Sequence, residues 1–177
     1  MAKRPPSRDR AEPADPARAA RVESLRLLTV RELSARQLRE RLAQRGFDQA
    51  SIDAALARLA DDGTLDDARV ARSRARTEIV VRGRGRLRAL RQIAALGIDP
   101  AVADAAVDEV LADVDERGLV ERAIDRRLGS RAGRALERPA MARLYRHLLA
   151  QGFPPGTVMA ALRARSRLPA AEPTDDE

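Results

Sequence analysis

The chain has no cysteine, no tryptophan, one histidine, one tyrosine and two phenylalanines, and only one of its 34 basic residues, Lys3, is a lysine. Without cysteine there is neither a disulfide network nor a thiolate metal site, and nothing points to an oxidising compartment, so the cytoplasm is the expected location. With three aromatics, burial must come from Ala, Leu and Val at about 25 cal/mol per Å². The same shortage counts against gripping a nucleic-acid single strand by base stacking. No apolar run exceeds five residues, Val158 to Leu162 being the longest, whereas a membrane span needs about 20. The first twenty residues also lack an apolar signal core.

His147 has no cysteine and no carboxylate fixed in its own turn, so a triad or a metal site built on it is not expected. Asp61, Asp62, Asp66 and Asp67 around Gly63 resemble half a calcium loop. Taking Gly63 as the sixth position, however, puts Arg58 first and Arg69 twelfth, where carboxylates are required. Gly83-Arg84-Gly85 lacks both the third glycine of a dinucleotide fingerprint, since Arg88 stands there, and the lysine of a nucleotide loop. It reads as a flexible break between two helical units. Together these readings predict a protein that is not an enzyme and has no cofactor and no bound metal.

What the sequence does contain is helical periodicity and positive charge. Its 177 residues are 44% hydrophobic, which suits folding, and the net charge of +7 favours a polyanionic partner. Ile52, Ala55, Leu56 and Leu59 recur at helical spacing, as do Met141, Leu144, Tyr145, Leu148 and Leu149, and Ala103, Val107, Val110, Leu111 and Val114. Ser34 with Gln37 forms a capping-box pattern, and Asp99 before Pro100 a cap with proline at the first helical position. Helices are expected near 20–31, 34–45, 49–60, 66–80, 84–95, 100–114, 118–129, 139–151 and 155–166. Proline and charge mark residues 1–19 and 167–177 as disordered tails.

Three glycines disclose a repeat. Gly46, Gly97 and Gly152 each have an apolar residue four positions before (Leu42, Ile93, Leu148) and one position after (Phe47, Ile98, Phe153). Nine positions after each stands Ala55, Ala106 or Ala161, and ten after Leu56, Val107 or Leu162. Each glycine suits a left-handed helix terminator. The period fits three short helices, and one such unit cannot bury its apolar face alone. The fold class predicted is all-α: an elongated array of tandem three-helix, helix-turn-helix-like repeats. The expected division is 20–82 for a leading helix and first repeat, 83–133 for the second, and 134–166 for a shortened third.

Against this frame, LLTVRELSARQLRERL from Leu27 to Leu42, RGF at Arg45 to Phe47, GTLDDARVA at Gly63 to Ala71 and RGRGRLRALRQIAALGID at Arg82 to Asp99 resemble the RecX family. The match runs over about residues 22–166. Gln37, Val70 and Arg84 depart from the family, which usually has glutamate at the first position and aromatic residues at the other two. The resemblance implies a regulator that binds the RecA recombinase and the RecA–single-stranded DNA filament, lies in the filament groove, and suppresses ATP hydrolysis, strand exchange and stimulation of repressor cleavage. The residues by themselves carry the reading only as far as a basic helical adaptor, expected as a monomer and away from membranes.

Charge is segregated along the chain. Residues 69–91 hold nine arginines against one acid, Glu78, and residues 117–146 nine against three, while 98–116 hold seven acids and no base. Arg69, Arg72 and Arg76 make one helical line and Arg84, Arg88 and Arg91 another. With Arg82, Arg86, Arg122, Arg126, Arg127, Arg131 and Arg134 they form the predicted surface for carboxylates or phosphates, which arginine clasps with two parallel bonds. The competing reading for any single arginine is a solvated side chain laced to the acidic helix. For the clustered set the binding reading is preferred to that one, with weak direct contact to DNA possible for the regulator; the alternative function is a sequence-independent DNA-binding protein.

Overall fold

The computed structural model describes residues 15–129 and 137–166. Among them every regular element is helical: α1 Pro16–Val30, α2 Ala35–Gln44, α3 Gln49–Asp61, α4 Asp67–Arg76, α5 Arg86–Ala94, α6 Pro100–Ala112, α7 Glu116–Leu128, α8 Arg138–Ala150 and α9 Pro155–Ser166, with a π-helical segment Thr77–Val81 continuing α4. The chain divides into two compact units, residues 1–66 and 67–177.

Local chemistry sets most boundaries. The capping box at α2 is formed in both directions, Gln37 N–H to Ser34 Oγ at 3.2 Å and Ser34 N–H to Gln37 Oε1 at 3.3 Å. Asp99 accepts from the Ala101 N–H at 2.8 Å ahead of Pro100. The start of α1 corrects the expected disordered tail: Asp15 caps Ala17 N–H at 3.0 Å ahead of Pro16, so residues 16–19 are helical. The Asp-Pro pair there repeats the one at Asp99-Pro100, and the prolines around it masked the signal. The rest of both expected tails, residues 1–14 and 167–177, lies outside the described residues.

In the first unit, α1 and α2 pack on α3, and Leu33, Leu38, Leu42, Ile52, Leu56, Leu59 and Leu65 form the core. Ala20 and Ser24 are fully buried on α1, small enough to let the helix lie close. In the second unit, α4 packs on α5 and α6, α7 on α8 and α9, and one continuous core runs from Val70 to Leu162. These trios begin one helix earlier than the divisions at 83 and 134 drawn from the sequence, because the helix linking two glycine turns can be counted with either.

The repeat is visible in atomic detail. Gly46, Gly97 and Gly152 all have positive φ, at 85°, 75° and 90°. Leu42, Ile93 and Leu148 before them are fully buried, and Phe47 N–H reaches back to the Leu42 carbonyl as Phe153 N–H does to Leu148, at 3.2 and 3.3 Å. Ala55, Ala106 and Ala161 are buried at equivalent places in α3, α6 and α9.

Candidate functional site

The arginine-rich stretch begins where α4 widens. Arg82 N–H bonds to the Thr77 carbonyl at 3.0 Å, five residues back, and the wider turn carries Glu78 into the interior, where it is 0% exposed. An isolated carboxylate there would be costly, and Glu78 is paired several times over. Arg82 donates to its Oε1 and Arg84 to its Oε2, both at 2.7 Å, with Arg74 3.7 Å from Oε1. The one acid among nine arginines is therefore the anchor of the loop after α4.

That loop is locked rather than flexible, which corrects the reading of Gly83-Arg84-Gly85 as a loose break. Gly85 N–H donates to the Gln151 carbonyl and Leu87 N–H to the Gly152 carbonyl, both at 3.0 Å. Gly83 has φ +60°, and a Cβ there would lie against the Arg126 guanidinium. The glycine leaves room for Arg126 to cross the loop and donate from Nη2 to the Gly83 carbonyl at 3.3 Å.

The result is a cleft of about 460 Å³ lined by Arg82, Gly83 and Arg84 from the loop, Ala123, Arg126 and Arg127 from α7, and His147 and Gln151 from the end of α8. Arg126 and Arg127 stand in the last turn of α7, where the carbonyl end of a helix favours cations. Burial, and after it the Arg127 charge, hold the His147 imidazole below its usual pKa. The Arg126 hydrogen bond to the Gly83 carbonyl is to a neutral acceptor, so that contact leaves the guanidinium charge uncompensated.

The other predicted arginines fall into distinct settings. Arg86 binds Asp104 and Asp108 on acidic α6, and Arg72 lies 3.8 Å from Glu109 on the same helix, so for these two the laced-face alternative describes the contacts. Arg84 precedes α5 and turns onto Glu78, so the expected helical line through Arg84, Arg88 and Arg91 reduces to Arg88 and Arg91. Arg88 is half-buried, with Nη1 3.5 Å from the Ala150 carbonyl. Arg69, Arg76, Arg91, Arg122, Arg126 and Arg127 are exposed. Arg131 and Arg134 lie outside the described residues. Sequence reasoning named Glu78 only as the one acid of its block, read Gly83 as part of a flexible break, gave His147 no site role and passed over Gln151; the signal available was a single acid in a run of arginines.

Comparison with known proteins decides the family. Residues 20–59 match the family described as "RecX, first three-helix domain". A "Regulatory protein RecX" of Halorhodospira halophila is 37% identical over 148 residues, spanning 82% of this chain and 88% of the relative. The chain belongs to the RecX family. Another "Regulatory protein RecX", from Amycolatopsis mediterranei, is 29% identical over 84% of this chain and 83% of its own length. The crystal structure of RecX from Lactobacillus salivarius is similar in fold, with a TM-score of 0.75 at 18% identity, covering 88% of this chain and 99% of that one. The RecX family is a family of regulatory proteins, and no described helix is long and apolar enough to cross a membrane.

Proposed function

We propose that this RecX-family protein acts in the cytoplasm as a non-enzymatic, monomeric regulator that binds the RecA recombinase on single-stranded DNA and slows its ATPase, strand-exchange and coprotease activities. The observation that carries the reading is the convergence of Arg82, Arg84, Arg126 and Arg127 on one cleft with a single acid, Glu78, buried behind them. Such a surface attracts anionic groups of a filament, through carboxylates of its subunits or phosphates of its DNA. Inhibition follows if the protein binds one filament state more tightly than another, since a ligand shifts an equilibrium only by differential affinity.

The test adds the full chain to RecA on single-stranded DNA and follows ATP hydrolysis. A dose-dependent fall supports the reading, and unchanged hydrolysis over a wide concentration range refutes it. Because Arg82 and Arg84 hold Glu78, the informative variant combines Arg91→Ala, Arg122→Ala and Arg127→Ala, exposed side chains whose loss leaves the anchor intact. It is expected to inhibit less while unfolding at the same temperature as the parent.

Sequence-independent DNA binding is the rival, favoured by the same clustered arginines. It predicts tight binding to bare DNA, with a salt slope that grows by about 0.9 for every phosphate neutralised.

A further inference from the structure

The geometry points to the cleft between the 82–84 loop, α7 and the end of α8 as a binding site for a single phosphoryl group, held by Arg82, Arg126 and Arg127 with His147 as a fourth donor. The inference draws on the same arginines as the proposed function but concerns a discrete ligand, and it does not require the recombinase.

The argument starts from charge. Arg82, Arg84, Arg126 and Arg127 line one concavity, and among the described residues no acid lines it with them. Glu78 is buried behind the loop and accepts from Arg82 and Arg84, so it offsets part of their charge, whereas Arg126 donates to a carbonyl. The second part of the argument is shape. The donors come from different elements and surround a volume of about 460 Å³, room for a tetrahedral group. A planar carboxylate is satisfied by one guanidinium fork, whereas a phosphoryl group, with three acceptor oxygens and a charge near −2, accepts from several directions.

His147 supplies the third part. It lines the cleft with Arg82 and Arg84 from the loop and Arg126 and Arg127 from α7, together with Gln151, the residue that caps α8. Without an anion, burial and then the Arg127 charge disfavour the imidazolium. An entering phosphoryl dianion reverses that balance, so His147 takes up a proton and becomes a donor. Ligand binding and His147 protonation are thereby linked, a behaviour not expected of an evenly basic surface.

Because His147 is the only histidine, its ring-proton resonances on the full chain are unambiguous. Inorganic phosphate is the probe, at constant ionic strength. Saturable binding with a His147 titration midpoint raised by about one pH unit is the expected result, and an unmoved midpoint overturns the site. Arg127→Gln is expected to weaken phosphate binding about tenfold, the loss of one charge-assisted hydrogen bond. Arg58→Gln, which removes one charge from α3, is expected to leave it within about twofold. Equal weakening by both variants means diffuse attraction and overturns the site.

Two further ligands separate the sources of the group. A short single-stranded oligonucleotide that raises the midpoint and is displaced by phosphate identifies the polynucleotide backbone. A nucleoside triphosphate that does so while the oligonucleotide does not identifies a free phosphoryl ligand. No recombinase is present in any arm, so failure here leaves the proposed regulation standing, and failure of the ATPase assay leaves this site standing.

Discussion

Gly85 and Gly152 meet backbone to backbone: a Cβ built on either would collide with main-chain atoms at the other's turn, Gly152 and Phe153 in one case and Arg88 in the other. Two backbone hydrogen bonds join the segments, from the Gly85 and Leu87 N–H groups to the Gln151 and Gly152 carbonyls. The contact fixes the start of α5 against the α8–α9 turn, and so fixes one wall of the arginine cleft.

Gly152→Ala is therefore expected to destabilise the protein by about 2–5 kcal/mol, combining overpacking with the strain of a left-handed backbone at φ 90°. Gly63→Ala is the comparison, since φ there is 72° but nothing lies within 4 Å of the new methyl. Its expected cost is about 1–2 kcal/mol from strain alone. Urea denaturation of both variants checks the difference, and equal losses would count against tight packing at Gly152.

Glu78→Gln keeps the shape of the loop anchor but removes its charge. Arg82 and Arg84 then face each other with only a neutral amide between them. Because both guanidiniums retain contact with solvent, the expected loss is about 1–3 kcal/mol, below that for a fully buried pair. Chemical denaturation measures it, and amide exchange is expected to accelerate first between residues 82 and 88.

Ser34→Ala removes the hydroxyl that accepts the Gln37 N–H. The expected cost is about 1 kcal/mol, with faster amide exchange in the first turn of α2. The double change with Gln37→Ala should cost little more than the single one, since the two halves of the capping box act together.

Asp48 in the first unit and His147 in the second each contribute a pH dependence of the same sign. With the folded pKa of His147 held down, the unfolded chain binds the proton first. Its contribution is present above the ordinary value of 6.5 and is lost as pH falls below it. His147→Gln is expected to flatten the stability profile between neutral and mildly acidic pH. Asp48 accepts from the Ser51 hydroxyl at 2.6 Å and from its N–H at 2.9 Å, which lowers its carboxyl pKa. Its contribution is full above 3.8 and is lost as pH falls through the lower folded value. Asp48→Asn should remove that part of the acid sensitivity, as read from urea midpoints at successive pH values.

Much of the secondary structure was legible because its causes are local. Apolar spacing, Asp-Pro and Ser-Gln caps and left-handed glycines act within a turn or two, so α2, α3, α6 and α9 lie within a residue or two of their expected ends. The start of α1 was misread because prolines and charges resemble a tail unless Asp15 is recognised as a cap. The π-helical turn was not legible, since nothing in TEIVV alone says that Glu78 must point inward.

The sequence by itself determined that this chain is helical, that it repeats around Gly46, Gly97 and Gly152, and that its basic residues cluster. Tertiary structure alone decided which arginines keep a free charge. Arg86 meets acids 18 and 22 positions away, and Arg126 a carbonyl 43 positions away. Electrostatic neutralisation depends on distance in space, and folding brings together charges that the linear order keeps far apart.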